Sequence, residues 1–116
     1  MAKKNIIKDK SFVFAIEIVY LYKMLAEKKE FVLSRQMLRS GTSIGANVRE
    51  SEHAESKADF IHKLSIALKE ANETEYWIDL LYETKFLEEA KFLKIKSKNV
   101  ELLKLLTSII NTSKNK

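Results

Sequence analysis

The chain has 116 residues, with no proline, no cysteine and only two glycines, which favours one nearly all-helical domain and excludes disulfides and thiolate metal sites. Its 21 lysine and arginine residues exceed 16 acidic ones, and the formal net charge of +5 permits contact with nucleic acid without requiring it. We expect neither a signal peptide nor a membrane span, and a cytoplasmic location.

The first predicted helix covers residues 11–28, follows a basic arm over residues 1–9, and is expected to be capped by Ser11 or Asp9. From Phe12 to Ala26 it is apolar almost all round, although a helix on one side of a bundle needs only an apolar stripe. The run is shorter than the ~20 residues of a membrane span and holds two charges. We therefore expect another copy of the protein to cover its second apolar face. The interface candidates are large apolar side chains of this helix and one later tryptophan: Phe14, Ile18, Leu21, Leu25 and Trp77.

The second predicted helix covers residues 34–53, with Ser34 as its N-cap. Beside its apolar stripe runs a polar row at helical spacing, which we interpret as a buried, hydrogen-bonded seam between helices or subunits. The alternative is the edge of an exposed face. Gly41 and Gly45 each cost about 1 kcal/mol relative to alanine in a helix interior, so a closely packed neighbouring helix or a bend is expected there. The polar row consists of Gln36, Arg39, Ser40, Ser43, Asn47 and Glu50.

The third predicted helix covers residues 57–83 and starts with a capping box, Ser56-x-x-Asp59. Glu75 falls within its apolar stripe, where an unpaired carboxylate is strongly disfavoured. We expect Arg39 to pair with Glu75, and Gln36 and Asn47 to complete the hydrogen bonds of the seam. The alternative is an open bundle at this level, in which Glu75 reaches water.

The fourth predicted helix covers residues 88–111, and its leucines and isoleucines form an apolar face wider than one core stripe. The connections between the four helices are short, which is typical of an antiparallel up-down four-helix bundle. The sequence thus predicts an all-α fold that assembles as a homo-oligomer.

Two pairs of residues, Glu50-x-x-His53 and Asp59-x-x-His62, have the spacing of di-iron ligands in helical bundles. Helical periodicity turns both histidines away from the apolar stripes, so we expect no metal site. No nucleophile is placed beside a base, and no glycine-rich loop follows a strand. We therefore expect no catalytic residue, no cofactor and no small-molecule substrate.

A family resemblance centres on the second helix. The run Gln36-x-x-Arg39-Ser40-x-x-Ser43-Ile44-x-Ala46-Asn47-Val48-x-Glu50 resembles the signature of the 23S rRNA intervening-sequence proteins, to which the accessory variability protein of diversity-generating retroelements is similar. The match continues from Asp59 to Glu75, with departures at Ser51, where the family usually has glycine, and at Asn72-Glu73, where it usually has Gly-Ser. The resemblance implies a four-helix bundle that forms a homopentamer, and it implies no settled activity.

Nucleic-acid binding is the remaining specific function. Repetition of modest basic patches round a ring would strengthen electrostatic contacts with phosphates. We therefore predict a non-catalytic scaffold that contacts RNA or an RNA-handling partner. The resemblance implies two candidate partners, structured RNA and a reverse transcriptase, and the sequence does not choose between them. The alternative is a purely structural homo-oligomer that binds a protein partner and no nucleic acid. The candidate nucleic-acid-binding residues are Arg35, Arg39, Arg49, Lys57, Lys63 and Lys69.

Overall fold

A computed structural model describes residues 2–115, with the backbone alone for residues 2–5, and this part of the chain contains four helices and no strand. Connections at residues 28–31, 52–56 and 84–88 join them into an up-down bundle in which α4 returns to pack against α1. The contact between α1 and α4 is the least extensive of the four. The all-α, four-helix prediction is confirmed. The helices are α1 (Ala2–Glu27), α2 (Val32–Ser51), α3 (Lys57–Glu83) and α4 (Glu89–Lys114).

The start of α1 differs from the prediction, because the helix begins at Ala2 and no separate arm exists over residues 2–9. Met1 lies outside the described residues. Ser11 is not a cap: it is buried in the middle of the helix, and its Oγ donates to the backbone oxygen of Lys8 at 3.2 Å. Residues 2–9 contain no glycine or proline, and lysine is a good helix former, so the helix can extend through this basic segment.

The start of α2 also differs, because Glu30 caps the first turn in place of Ser34. The Glu30 carboxylate accepts the backbone N–H groups of Val32, Leu33 and Ser34 at 3.2, 3.0 and 2.7 Å. Ser34 Oγ donates to the Glu30 backbone oxygen at 2.7 Å. Burial raises the pKa of Glu30, but hydrogen bonds from Leu33, Ser34 and Val32 outweigh it, and the net pKa is lowered from its ordinary value. The positive end of the helix dipole is a favourable place for this charge.

The ends of α1 and α3 share one motif, in which a lysine occupies the left-handed position that usually belongs to glycine. Lys29 has φ 65° and Lys85 has φ 69°. The chain then folds back, so that Glu30 N–H donates to Leu25 O at 3.0 Å and Phe86 N–H donates to Leu81 O at 2.9 Å. These are the hydrogen bonds of a Schellman motif, which ends each helix without a glycine.

The capping box at the start of α3 is confirmed. Ser56 Oγ accepts the Asp59 backbone N–H at 3.0 Å. The Asp59 carboxylate accepts from the backbone N–H of Glu55 at 3.1 Å, one residue earlier than in the usual reciprocal arrangement.

The predicted close approach at the two glycines of α2 is also confirmed, and α1 is the helix that approaches. A Cβ on Gly41 would lie 3.0 Å from two side-chain carbons of Ile18, and a Cβ on Gly45 would lie 3.2 Å from the carbonyl oxygen of Ser11. One face of every helix contributes to the hydrophobic core. Its buried side chains include Phe14, Ile18, Met37, Ile44, Leu64, Ile78, Leu102 and Leu106.

Candidate functional site

The polar row of α2 does not form a buried seam within the chain. Gln36, Arg39 and Glu50 are exposed, while Ser43 and Asn47 are half-buried. The hydrogen bonds of Ser43 and Asn47 are local to the helix: Ser43 Oγ donates to Arg39 O at 2.7 Å, and Asn47 Nδ2 donates to Ser43 O at 2.9 Å. Arg39 and Glu50 instead pair with side chains of α3 at the surface. Within the single chain the row is therefore a polar edge and not a buried seam, except at Ser40, which is buried. A seam between subunits stays a prediction.

The interior polar contact between α2 and α3 comes from Ser40 and Thr74, whose buried hydroxyls hydrogen bond at 2.8 Å. Thr74 therefore occupies the inward position that the sequence assigned to Glu75, which is only half-buried. One residue corresponds to about 100° round a helix, so this shift turns the Glu75 carboxylate out of the core.

The predicted Arg39–Glu75 pair is accordingly wrong. Arg39 forms ion pairs with Glu70, at 3.4 Å, and with Glu73. The hydrogen bond from the Trp77 indole N–H, followed by that from Arg39, holds the pKa of Glu73 below its usual range. The pair of Arg39 with Glu73 also raises the pKa of the guanidinium. This network fixes the outer edge of the α2–α3 contact.

Trp77, one of the predicted interface residues, is half-buried and packs against the core of its own chain. Its Nε1 donates to Glu73 at 3.0 Å, and its ring meets that of Tyr76 edge-on, with centroids 5.0 Å apart. Much of the Trp77 side chain therefore contacts residues of its own chain, which leaves less of its surface for an interface.

The other predicted interface residues, Phe14, Ile18, Leu21 and Leu25, are buried in the core of the single chain, so that assignment is wrong. A second apolar face does exist on the opposite side of α1. We call it the outer stripe: Ile6, Phe12, Val13 and Ile16, which are 40%, 52%, 50% and 42% exposed. Because this helix is apolar almost all round, its hydrophobic pattern does not show which of the two faces is buried.

The six predicted nucleic-acid-binding residues have different environments. Arg39 is paired as described, and Lys63 is paired with Glu50 at 3.1 Å. The guanidinium of Arg49 lies 5.4 Å from the ring centroid of Phe12 in a cation–π contact. The remaining members are exposed side chains: Arg35, Lys57 and Lys69. The charge of Lys69 makes a small contribution to the lowered pKa of Glu73.

The shallow contact between α1 and α4 leaves two cavities of about 250 Å³ each in the groove between them. Two ion pairs cross this groove, Lys98 with Glu17 and Lys10 with Glu101, the latter at 3.0 Å. One cavity, which we call the Tyr20 cavity, is lined by Glu17, Tyr20, Leu21, Met24, Lys91, Lys94 and Ile95. Tyr20, Lys91 and Lys94 were not among the site residues predicted from the sequence. The spacing of Lys91 and Lys94, three residues apart on α4, is a signal that they share one face of the helix.

The described residues give no indication of a metal or membrane site. His53 and His62 are both exposed. Between residues 2 and 115, no three histidine or carboxylate side chains are grouped so that they could hold a metal ion. No helix in that range is long and apolar enough to cross a membrane.

Comparison with known proteins identifies the family. The model of the 23S rRNA-intervening sequence protein family matches residues 3–108. The chain belongs to this family. Among solved structures, it is similar to a protein with unknown function from the S23 ribosomal protein family of Bacteroides thetaiotaomicron VPI-5482, with 59% identity, a TM-score of 0.93, and coverage of 94% of this chain and 98% of that one. No curated protein matches. The family and its solved relative carry no catalytic description.

Proposed function

We propose that the protein is a non-catalytic, homo-oligomeric scaffold that contacts RNA through basic residues of α2. The observation that carries this proposal is the outer stripe of α1. Four large apolar side chains lie about half exposed on one helix, opposite its buried face. Contiguous exposed apolar patches mark interaction sites, since burying apolar surface contributes roughly 25 cal/mol per Å².

The family resemblance suggests five copies in the assembly. A second copy is the simplest occupant of the outer stripe, because each copy brings the same apolar surface, and closed symmetric assemblies are the usual result. Arg49, which lies over Phe12, stands at the edge of this stripe. The basic face and the self-association face are therefore adjacent.

RNA contact draws support from the family description, which refers to 23S rRNA, and from two arginines on α2. Arg35 and Arg49 are exposed, and neither is among the residues with an ion pair in the described part of the chain. Repetition of these two charges on each copy would give a multivalent surface for phosphates, with strong dependence on salt.

A protein-only assembly is the second candidate, and a specific observation favours it. Arg39 and Lys63 are already paired with glutamates of the same chain, which leaves less positive charge free for phosphate than the sequence suggested. In this alternative the outer stripe still forms the assembly, and the partner is a protein.

Self-association is tested by light scattering of the purified chain and of a Phe12→Ser/Ile16→Ser double variant. We expect the wild-type mass to be a multiple of 13.5 kDa, five-fold by resemblance, and the double variant to be smaller. Leu93→Ser is the matched control, because Leu93 is a similarly exposed apolar residue on α4. A monomeric wild type, or an unchanged mass in the double variant, would contradict the proposed interface.

RNA contact is tested by purifying the protein from its host at low salt and sequencing the RNA that accompanies it. We expect a defined RNA that dissociates as salt rises, and loss of that RNA from Arg35→Ala/Arg49→Ala. Lys104→Ala/Lys114→Ala removes the same charge from exposed positions of α4 and is the control. RNA no higher than background would favour the protein-only assembly.

A further inference from the structure

The Tyr20 cavity combines an exposed aromatic ring, an apolar floor and several cations. Tyr20 is 66% exposed, and the Nζ of Lys23 lies 5.5 Å from the centroid of its ring. Lys91 and Lys94 are exposed and line the same cavity from α4. The floor is apolar and comes from Leu21, Met24 and Ile95.

The charge at this cavity is net positive. Glu17, the carboxylate among the lining residues, already forms an ion pair with Lys98. Neither Lys91 nor Lys94 is among the lysines that form ion pairs in the described part of the chain. The cavity therefore offers two ammonium groups to an anionic ligand, next to an aromatic face.

The shape of the groove favours a small planar ligand over a helix. A docked helix needs a continuous apolar groove. Here the Lys98–Glu17 ion pair crosses between α1 and α4 and joins a residue of each cavity, so it separates the two cavities. Lys10 and Glu101 form a second crossing pair at the other cavity. A single flat group can enter one of them and stack on Tyr20.

From these observations we infer that the Tyr20 cavity binds an unstacked base of single-stranded RNA, while Lys91 and Lys94 contact the neighbouring phosphates. This inference rests on the proposed RNA function and adds a site outside α2. Proteins that bind single strands combine the same two elements, an aromatic platform for bases and lysines along the backbone path. Sequence preference would be weak, because every base has a stackable face.

The test is fluorescence anisotropy with a labelled oligouridine, using the full chain in its native assembly. Loss of a stacking platform is expected to weaken binding about five- to one hundred-fold in Tyr20→Leu. Lys91→Ala/Lys94→Ala should lower the slope of log affinity against log salt by about 0.7 for each lysine. The controls are Tyr76→Leu, an exposed tyrosine on α3, and Lys104→Ala/Lys114→Ala. A photoreactive thiouridine in the probe should crosslink to α1 near Tyr20.

The outcomes separate this inference from the proposed function. If oligouridine binds and only the Arg35→Ala/Arg49→Ala variant weakens it, RNA binding stands and the Tyr20 site is refuted. The same holds if another copy covers Tyr20 in the assembly, because Tyr20→Leu would then bind like the wild type. If oligouridine does not bind at low salt but a host RNA still copurifies with the protein, RNA contact stands and the Tyr20 site is refuted. If neither RNA binds, both proposals fail. Equal effects of Tyr20→Leu and Tyr76→Leu would also refute the specific site.

Discussion

Replacement of Glu30 by alanine is the perturbation whose effect the structure defines most closely. The Glu30 carboxylate accepts three backbone N–H groups at the start of α2, and the residue is only 8% exposed. In Glu30→Ala, the N–H of exposed Val32 can turn to water, whereas the N–H of buried Ser34 loses its acceptor. A buried N–H without a partner costs about 1–3 kcal/mol, and loss of an N-cap side chain typically costs about 1 kcal/mol.

We therefore expect Glu30→Ala to lower the free energy of unfolding by about 2 kcal/mol. Glu30→Gln should lose less, because its amide oxygen can still accept one of the three bonds. The assay is urea unfolding followed by circular dichroism at a fixed protein concentration, since association stabilises the folded state by mass action. Glu27→Ala is the control, because Glu27 is an exposed glutamate at the end of α1.

The same residue predicts a dependence on pH. The pKa of Glu30 is lowered in the folded protein from 4.5, so protonation favours the unfolded chain. Its contribution is therefore present above pH 4.5 and is lost as the pH falls through the lower, folded-state pKa. The stability difference between wild type and Glu30→Gln should shrink in that range. A difference that stays constant with pH, or equal midpoints for Glu30→Ala and Glu27→Ala, would refute the reasoning.

Three other predictions concern packing and the ends of helices, and all use the same unfolding assay. Gly45→Leu should cost about 1–3 kcal/mol through overpacking against α1, whereas Ala46→Leu at the neighbouring exposed position should change stability by less than about 0.5 kcal/mol. Asn99 is buried; its Nδ2 donates to Ala71 O at 3.0 Å, but its Oδ1 has no hydrogen-bond partner in the described residues. An unpartnered buried oxygen costs about 1–3 kcal/mol and one hydrogen bond contributes about 1 kcal/mol, so Asn99→Leu should raise the urea midpoint; a fall would mean that this oxygen is satisfied in solution. Lys85→Gly should stabilise by about 1 kcal/mol by relieving the left-handed backbone, and Lys85→Ala should not.

The number and approximate positions of the four helices could be predicted, because the chain has no proline and only two glycines to interrupt a helix. The helix ends were less predictable, since two of the devices that set them use unusual residues. Lys29 and Lys85 take left-handed positions at which glycine is the usual sequence signal. Glu30 caps α2 with a long side chain that reaches back to three N–H groups, whereas Ser34 has the residue type of a normal cap. Only Ser56 gave the expected signal and performed the expected role.

The prediction of which helix face is buried was wrong for α1, although periodicity identified the buried face of α2. In α2 polar residues border the apolar stripe, so helical periodicity indicates which side faces the core, and its residues Met37, Ile44 and Val48 are buried. In α1 almost every position is apolar, and hydropathy is equally consistent with Phe14 or Phe12 facing the core. What selects Phe14 is geometric, because the backbone of α1 at Ser11 approaches Gly45 and fixes the rotation of the helix. That contact depends on which helices become neighbours, which periodicity within one helix does not specify.

Several charged side chains of α2 and α3 pair with each other within the chain. Arg39 was predicted to pair with Glu75 and was also a candidate for nucleic-acid binding, but it pairs with Glu70 and Glu73 on α3. Ion pairs at the surface contribute at most about 1 kcal/mol each, so these two add little to stability, and they reduce the charge that Arg39 offers to RNA. Arg35 and Arg49 of α2 form no ion pair among the described residues, and the other free surface chemistry lies along α1, in the outer stripe and the Tyr20 cavity. Substitutions at Phe14 should therefore impair folding, whereas substitutions at Phe12 or Tyr20 should spare the folded chain and change only what it binds.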